Sequence, residues 1–423
     1  MVPPVDGPSG WAAEERLRSV PWEALSGLCP ELEAPLREIL GGAPAERVLR
    51  RLLRSLSGLG APGRWAVAEG VFGVALWRRR LLAQLSLSEA SPRLLLAVLF
   101  RDLGGREAAG ELAGLPRGAL PPPRPPPSEL ADRWSFPDWL AGELRRAAGK
   151  DASALADALN RPGPVSFRPN LLKTTPQALA ARLASEGVLT VRGRLVPTCL
   201  IAPGRPGVYG LAAHREGLFE VQDEGSQLVG ALVEARPGEA ILDACAGAGG
   251  KALLLAGAVG PRGRVHAADP DPERLGRLRA RAERAGALGI VVLHGAAAPV
   301  GLLVDRALVD APCSELGALR RGPDLRWRMD ARAFTLLPGL QRGILAGAAR
   351  HVRIGGRLVY ATCTLRAEEN EGVVLDFEAS HAGFRRIRPE VAGAARSEDG
   401  FLRTFPHRHG TDAFFAAAWE RRA

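Results

Sequence analysis

Lysine is nearly absent from this 423-residue chain: Lys150, Lys173 and Lys251 are the only three among 56 cationic residues, and arginine supplies the rest. Cysteine is almost as rare, with five at positions 29, 199, 245, 313 and 363 and no C-x-x-C pair. That spacing excludes a zinc framework and a disulfide scaffold, and it suits a reducing cytoplasm. His407-Arg408-His409 has no clustered partner ligands, so it reads as a polar loop and no metal is expected. No run of about 18 uncharged apolar residues occurs, which excludes a membrane-spanning helix. The first residues, Met1-Val2-Pro3-Pro4-Val5-Asp6, lack a basic stretch followed by an apolar core and argue against secretion.

The rest of the composition describes a soluble globular chain with a polyanionic partner. Hydrophobic residues make up 46% and mean hydropathy is −0.01, and the length allows two or three domains. A net charge of +10 and a pI near 10.3 favour nucleic acid. A background bias toward Arg, Ala, Gly and Pro accounts for part of that basicity. Where arginine is the default cation, a lysine is held for its compact ammonium. Two of the three, Lys173 and Lys251, fall in motifs.

Residues 1–120 read as helical, with apolar stripes over 47–56, 64–85 and 92–103. Trp65, Phe72 and Trp77 read as core there. Residues 121–128, dominated by Pro121-Pro122-Pro123-Arg124-Pro125-Pro126-Pro127, form a stiff extended linker and a domain boundary. Residues 129–215 read as a small α+β domain. It has helices over 138–148 and 152–159, a strand over 165–168, and a helix over 176–186 capped by Thr175.

From 216 to 423, strands and helices alternate. Apolar runs at 240–245, 265–269, 290–293, 307–310 and 357–362 read as buried parallel strands. Helical stretches such as 272–285 and 331–352 separate most of them. This is the pattern of a doubly wound α/β sheet. A last strand over 412–419 is too close to the end for a crossover and should lie antiparallel at or near an edge.

Asp243-Ala244-Cys245-Ala246-Gly247-Ala248-Gly249-Gly250-Lys251 follows one strand and precedes a helix. Glycines let the backbone turn tightly and approach a ligand, at which the free N–H groups of a helix start point. Asp269, 19 residues after Gly250, ends the next strand, where a carboxylate can accept from ribose hydroxyls. There is no phosphate-loop G-x-x-x-x-G-K-[ST] and no G-x-G-x-x-G spacing, so a nucleoside cofactor other than NAD is expected. Its binding set is Cys245, Ala246, Gly247, Ala248, Gly249, Gly250, Lys251, Asp269 and Asp310, with Cys245 a passive lining.

Cys313, in Asp310-Ala311-Pro312-Cys313-Ser314, and Cys363, in Tyr360-Ala361-Thr362-Cys363-Thr364, fall where parallel strands end in a ligand crevice. Cys29 and Cys199 read instead as small buried hydrophobes. Two strand-end thiols suit methylation of a pyrimidine at carbon-5. A thiolate adding at carbon-6 makes carbon-5 nucleophilic, and loss of the carbon-5 proton with expulsion of the thiol completes the exchange. A free thiol of pKa about 8.5 is little ionised at pH 7, so cationic or helix-N-terminal surroundings are expected at the nucleophile. An acid near ring N3 stabilises the adduct, a role for Asp310 if burial raises its pKa. Arg320, Arg321, Arg326 and Arg328, with Trp327, form a basic cluster expected to neutralise phosphates beside the substrate.

Asp310-Ala311-Pro312-Cys313-Ser314-Glu315-Leu316-Gly317 resembles the Pro-Cys motif of the Sun-type RNA cytosine-C5 methyltransferases. Tyr360-Ala361-Thr362-Cys363-Thr364, followed by Glu368-Glu369-Asn370-Glu371, resembles their Thr-Cys motif. Residues 219–227 and the glycine loop are similar to the family's too. Arg168-Pro169-Asn170-Leu171-Leu172-Lys173 is similar to its R-x-N-x-x-K element, and the likeness spans about 130–420. The resemblance implies S-adenosyl-L-methionine as donor, Cys363 as nucleophile and Cys313 as helper in product release. It also implies contact of Asp310 with the target base, Lys251 nearby, and RNA contacts from Arg168, Asn170 and Lys173. The helical region resembles a NusB-like RNA-binding domain, which makes 16S ribosomal RNA the favoured partner over tRNA. The expected fold is thus an all-α NusB-like domain, a small α+β RNA-recruiting domain and a Rossmann-like methyltransferase domain, working as a monomer without a membrane.

Three positions depart from the family pattern. His294-Gly295-Ala296 lacks the aspartate that follows a glycine near the end of strand three, so a carboxylate for the adenine amino group is missing or comes from elsewhere. Ala252 replaces a threonine after the loop lysine, and Ala413 replaces a glycine before Phe414-Phe415. The first change is expected to weaken cofactor binding. It also keeps open a catalytically weak RNA-binding assembly factor, while methylation of a protein or small molecule would need no cysteine pair.

Overall fold

The computed structural model describes residues 13–204, 206–388, 395–397 and 399–423; the secretion reading at Met1–Asp6 lies outside them. They divide into two compact units, one of residues 13–162 with Leu319–Ala331, the other of Gly163–Ala318 with Arg332–Ala423. Among the described residues no helix is long and apolar enough to cross a membrane.

The first unit contains helices and no strand among its described residues. Its longest helix, Ala61–Leu85, buries Ala66, Val67, Val71, Val74, Leu76, Trp77 and Leu81, most of its circumference. A helix apolar on most sides must be surrounded, and Cys29–Leu40, Ala45–Ser55, Pro92–Val98 and Leu130–Trp134 pack on it. Trp77 is core, as expected. Trp65 is not: between the inward-facing Gly63 and Ala66 it turns outward and is 38% exposed. Cys29 is a buried hydrophobe.

The proline run at 121–127 forms neither helix nor strand, but it does not separate the two compact units. The Gln84 side-chain amide donates to the Pro125 carbonyl at 3.1 Å and Arg101 donates to the Pro121 carbonyl, so the run is laid along the helical unit. Helices Leu130–Trp134, Asp138–Ala148 and Ala152–Leu159 then join that unit, with Trp134 6.3 Å from Trp77 ring to ring.

Arg326 corrects a second expectation. Instead of facing RNA, it is fully buried in the helical unit, 3.9 Å from the centre of the Phe136 ring. Its guanidinium donates to Asn160 Oδ1 at 2.7 Å and to the Ser135 carbonyl at 3.3 Å. Burial pushes its pKa down to about 9, because the charged form loses water. Trp327 donates through Nε1 to the Ala75 carbonyl at 2.7 Å, and Arg78 stacks 4.0 Å from its ring, so its faces serve packing. Removing the guanidinium in Arg326→Ala should destabilise this unit by about 2–4 kcal/mol in urea titration, since it strands the polar groups it serves. The salt dependence of RNA binding should stay unchanged, whereas loss of a phosphate contact would flatten it.

The second unit holds two sheets. β1 (Val165–Pro169), β2 (Val191–Arg192), β3 (Leu200–Ala202) and β4 (Phe219–Val221) form an antiparallel sheet ordered β2-β3-β1-β4. Phe167 and Phe219, rings 5.0 Å apart, bury against Leu179 and Leu183 of helix Pro176–Ser185. Thr175 caps that helix as expected, its Oγ1 accepting from the Ala178 N–H at 3.2 Å. β4 lies beyond residue 216, so the small sheet extends past the boundary read from the sequence. The reason is pairing: β1 needs β4 along its second edge.

β5 (Ala240–Asp243), β6 (Arg264–Ala268), β7 (Val291–His294), β8 (Val304–Asp310), β9 (Val352–Thr362), β10 (Phe384–Ile387), β11 (Leu402–Arg403) and β12 (Phe415–Arg421) form the larger sheet. Its order is β10-β12-β9-β8-β5-β6-β7, with β11 also on β12. β5 to β9 are parallel, and β12 runs antiparallel to β9, one strand in from β10. The helix expected over 331–352 is shorter: a 3₁₀ segment Ala331–Leu336 precedes helix Leu337–Ala349, and Val352 already starts β9. The chain moves outward from β5 to β7, then returns to the other side of β5 with β8. A crevice opens at such a reversal, beyond the carboxyl ends of the strands.

Candidate active site

β5 ends in Asp243, and a loop to Gly249 leads into helix Gly250–Val259. Gly249 has φ +90°, and a Cβ there would fall 2.1 Å from Leu278 Cδ1, so both backbone and space demand glycine. Carbonyls of the loop are tied from outside: Arg281 donates to Ala248 at 2.7 Å and Arg168 donates to Gly250. Asp269 Oδ2 accepts from the Gly247 N–H and Oδ1 from the Asp271 N–H, both at 2.9 Å. Each oxygen keeps a lone pair for a further donor.

Asp243 is 1% exposed, and among the described residues its carboxylate has no side-chain hydrogen bond, only a weak pull from the Cys245 N–H. Burial and then the charge of Asp310 push its pKa up to about 7, against the pull of Lys251. Beside it, a Cβ on Gly247 would meet nothing within 4 Å. A buried carboxylate with no side-chain partner, next to an open glycine backbone, fits a cationic nucleoside such as S-adenosylmethionine, which carries an ammonium and a sulfonium. The Lys251 ammonium donates to Asp310 Oδ2 at 2.6 Å and lies 5.4 Å from the centre of the Phe414 ring. The Lys251–Asp310 pair is therefore brought together as expected.

β8 and β9 are neighbours with Asp310 opposite Ala361, so the loops that follow them start side by side. Cys313 Sγ and Cys363 Sγ are 3.4 Å apart, both half-buried. Gly317 locks the two loops: its N–H donates to the Cys363 carbonyl at 2.9 Å and its carbonyl accepts from Ala413 at 3.0 Å. A Cβ on Gly317 would sit 2.3 Å from the Ala413 oxygen. The cationic surroundings expected for the nucleophile are not there. The hydrogen bond to Cys313, burial, and the charges of Asp310 and Glu315 push the Cys363 thiol well above its ordinary value. The Lys251 ammonium is paired with Asp310 instead, and the surroundings favour the neutral thiol at Cys363.

The expected RNA contacts divide. Arg168 is buried, with Nη1 on Gln222 Oε1 at 2.6 Å as well as on Gly250, and burial pushes its pKa down to about 10. Asn170 is buried too, donating to the Gly217 and Ala285 carbonyls at 2.8 Å. Exposed Lys173 donates to the Glu216 and Arg284 carbonyls at 2.9 and 2.7 Å. The R-x-N-x-x-K element is thus a strut joining β1 to the cofactor loop and to the end of helix Pro272–Ala285. Arg320 is buried and Arg321 exposed. Ala296, at the place of the expected aspartate, offers no carboxylate, and two residues earlier His294 Nε2 lies 3.0 Å from His266 Nδ1. Cys199 is a buried hydrophobe, and Cys245 is held protonated by burial and by Asp243, Asp310 and Asp269.

Sequence reasoning gave no role to Asp243, Gln341, Glu369 or Phe414. An acid ending the apolar run Ala240-Ile241-Leu242-Asp243 was a readable signal for the first. For Glu369, within Glu368-Glu369-Asn370-Glu371, no periodicity marks which acid turns inward.

A glycine loop after the first strand of a parallel sheet, with acids ending the adjacent strands, is the architecture of a Rossmann-like methyltransferase. Residues 231–420 match the 16S rRNA methyltransferase RsmB/F family, and residues 136–205 match its RsmF/B-like ferredoxin-like domain. The chain belongs to this family of S-adenosylmethionine-dependent RNA methyltransferases. It is 37% identical over 300 residues to the "Probable ribosomal RNA small subunit methyltransferase B" of Synechocystis sp., covering 68% of this chain and 67% of that one. It is 31% identical over 384 residues to the ribosomal RNA small subunit methyltransferase B of Sodalis glossinidius, covering 85% and 86%. The crystal structure of PH0851 superposes with a TM-score of 0.77 over 95% of this chain and 99% of that chain, at 24% identity, a likeness of fold.

The buried carboxylate sets a trade-off between stability and ligand binding. An aspartate protonates near pH 4 when unfolded, whereas Asp243 does so near 7 here. The folded state therefore holds the extra proton between those values, and stability falls as pH rises from about 4 to 7. Asp243→Asn should raise the stability of the cofactor-free protein at pH 8 by about 1–3 kcal/mol in urea titration, with no gain at pH 4. The same substitution should weaken S-adenosylmethionine binding measured by calorimetry.

Proposed function

We propose that this chain methylates carbon-5 of a cytosine in small-subunit ribosomal RNA, with Cys363 as the covalent nucleophile and Cys313 assisting release. The observation that carries the reading is the 3.4 Å separation of two thiols at the ends of adjacent strands beside the cofactor loop. Cofactor binding alone needs no such pair. The names of the relatives support ribosomal RNA as the substrate class. The exposed Arg321 remains a proposed phosphate contact, and the helical unit a NusB-like RNA-binding element. The free-cysteine pattern suits work in the cytoplasm.

In this reading the cytosine leaves its stack to reach the crevice. The Cys363 proton passes to the carboxylate of Asp310, and the sulfur bonds to carbon-6. The ring electrons move toward carbon-5 while Asp310, now an acid, hydrogen-bonds N3. Lys251 holds Asp310 in place. The glycine loop, Asp243 and Asp269 would hold S-adenosylmethionine, which would supply an electrophilic methyl group to carbon-5. Cys313 then assists removal of the carbon-5 proton. The C–H electrons restore the 5,6 double bond, and the bond from carbon-6 to Cys363 breaks.

Bisulfite sequencing of rRNA and tRNA from cells with and without the gene tests substrate and chemistry together. One cytosine of 16S rRNA should lose protection; a tRNA cytosine would redirect the substrate, and persistence of every protected cytosine would reject the activity. Cys363→Ala should lower turnover by at least about 10³-fold, as for other covalent nucleophiles. Cys313→Ala should instead accumulate an RNA–protein adduct through Cys363, seen as a denaturation-resistant band shift.

A further inference from the structure

We propose that Glu369 is the positioning residue that holds the two thiols at working separation; this rests on the reading of Cys363 and Cys313 as the reacting pair. Glu369 is fully buried and lies between the two cysteine loops. Its Oε1 accepts from Ser314 Oγ at 2.6 Å, and its Oε2 accepts from the Ser314 N–H at 3.0 Å and from Gln341 Nε2 at 2.9 Å. Gln341 Nε2 also donates to the Pro312 carbonyl at 2.9 Å. The residues before and after Cys313 are thus both fixed by one carboxylate and its amide partner.

The same carboxylate reaches the second cysteine through a directed relay. Ser314 Oγ lies 2.7 Å from Thr364 Oγ1, and the Arg366 N–H donates to Thr364 Oγ1 at 3.3 Å. A carboxylate only accepts, so Ser314 must give its proton to Glu369 and Thr364 must give its own to Ser314. The order of donors is fixed from Arg366 through Thr364 and Ser314 to Glu369. Ser314 adjoins Cys313 and Thr364 adjoins Cys363, so the relay is a second bridge beside the sulfurs. Tyr360 closes the frame, its hydroxyl donating to the Glu369 carbonyl at 2.6 Å. An amide at position 369 would bring an N–H group against a site built entirely of donors.

The test compares wild type with Glu369→Gln, and with Thr364→Val as a second variant that cuts the relay while sparing the buried acid. Diamide, which takes two electrons from a pair of thiols, reports sulfur proximity as the rate of Cys313–Cys363 disulfide formation, mapped by peptide mass spectrometry. RNA methylation kinetics and the adduct band report function. Glu369→Gln is expected to slow disulfide formation about 10-fold and to lower kcat by about 10–100-fold, as sub-ångström to 1 Å misplacement does. KM for RNA and S-adenosylmethionine affinity should hold within about twofold. The adduct should also persist longer, because release needs Cys313 in place. Wild-type disulfide and turnover rates in a folded Glu369→Gln protein would overturn the proposal. If that variant fails to fold, wild-type rates in Thr364→Val do so. A wild-type protein that methylates no cytosine sinks the functional reading, yet the diamide comparison still decides the role of Glu369.

Discussion

The parallel pairing of β8 with β9 is the constraint on which the rest of this site depends. Asp310 lies opposite Ala361 at the end of that ladder, so two residues fifty positions apart in the chain, Cys313 and Cys363, emerge from neighbouring strand ends. Strands sit about 4.8 Å apart, and the two loops need only a short inward turn to bring the sulfurs to 3.4 Å. β12 lies antiparallel to β9 on its other side, so the turn before it reaches the same place and lays Ala413 against Gly317. Topology sets where the thiols can meet, and the polar frame around Glu369 sets how closely.

The electrostatics of the crevice run against ionisation of Cys363 and in favour of a cation. Asp243, Asp269 and Asp310 end three adjacent strands of one parallel sheet, and one lysine, Lys251, is paired with one of them. After burial, all three help push the Cys245 thiol up, and Asp310 adds to the Cys313 hydrogen bond and burial that push up Cys363. A site tuned only to ionise a thiol would be built the other way, with arginine or a helix start beside the sulfur. The arrangement suits a cationic methyl donor held near a neutral thiol. Functional sites often retain such local conflicts because their resolution requires the ligand.

How much was legible from residues alone follows from what each signal depends on. The helices at 138–148, 152–159 and 272–285 were legible with their observed bounds, since a helix is closed by its own neighbours. Apolar runs gave β5 to β9. The strands β2, β3, β4, β10 and β11 were not read: β3 and β4 exist through β1 and β10 through β12, partners remote in the chain, while β2 and β11 are two-residue strands on β3 and β12. The cofactor loop and both cysteines were readable as motifs. The partners of those residues were not: Glu369 and Gln341 act through contacts that only the tertiary fold creates.

Arginine misled where lysine informed. Arg168 and Arg326 are buried in polar and aromatic surroundings, Arg281 and Arg284 are paired with Glu220, and Arg306 is paired with Glu239. Formal charge counts these the same as an exposed cation, although none is a free contact for phosphate. The planar fork of arginine suits such internal joints, satisfying several acceptors at once. The two motif lysines do what that fork cannot. Lys251 fits a compact ammonium between Asp310 and the Phe414 ring, and Lys173 sets one on two carbonyls, one of them in the last turn of helix Pro272–Ala285. A cation at a helix C-terminus is favoured by the helix dipole. In a chain that replaces lysine almost everywhere, the two motif positions that keep it are ones where a compact point charge with three donors meets the acceptors around it.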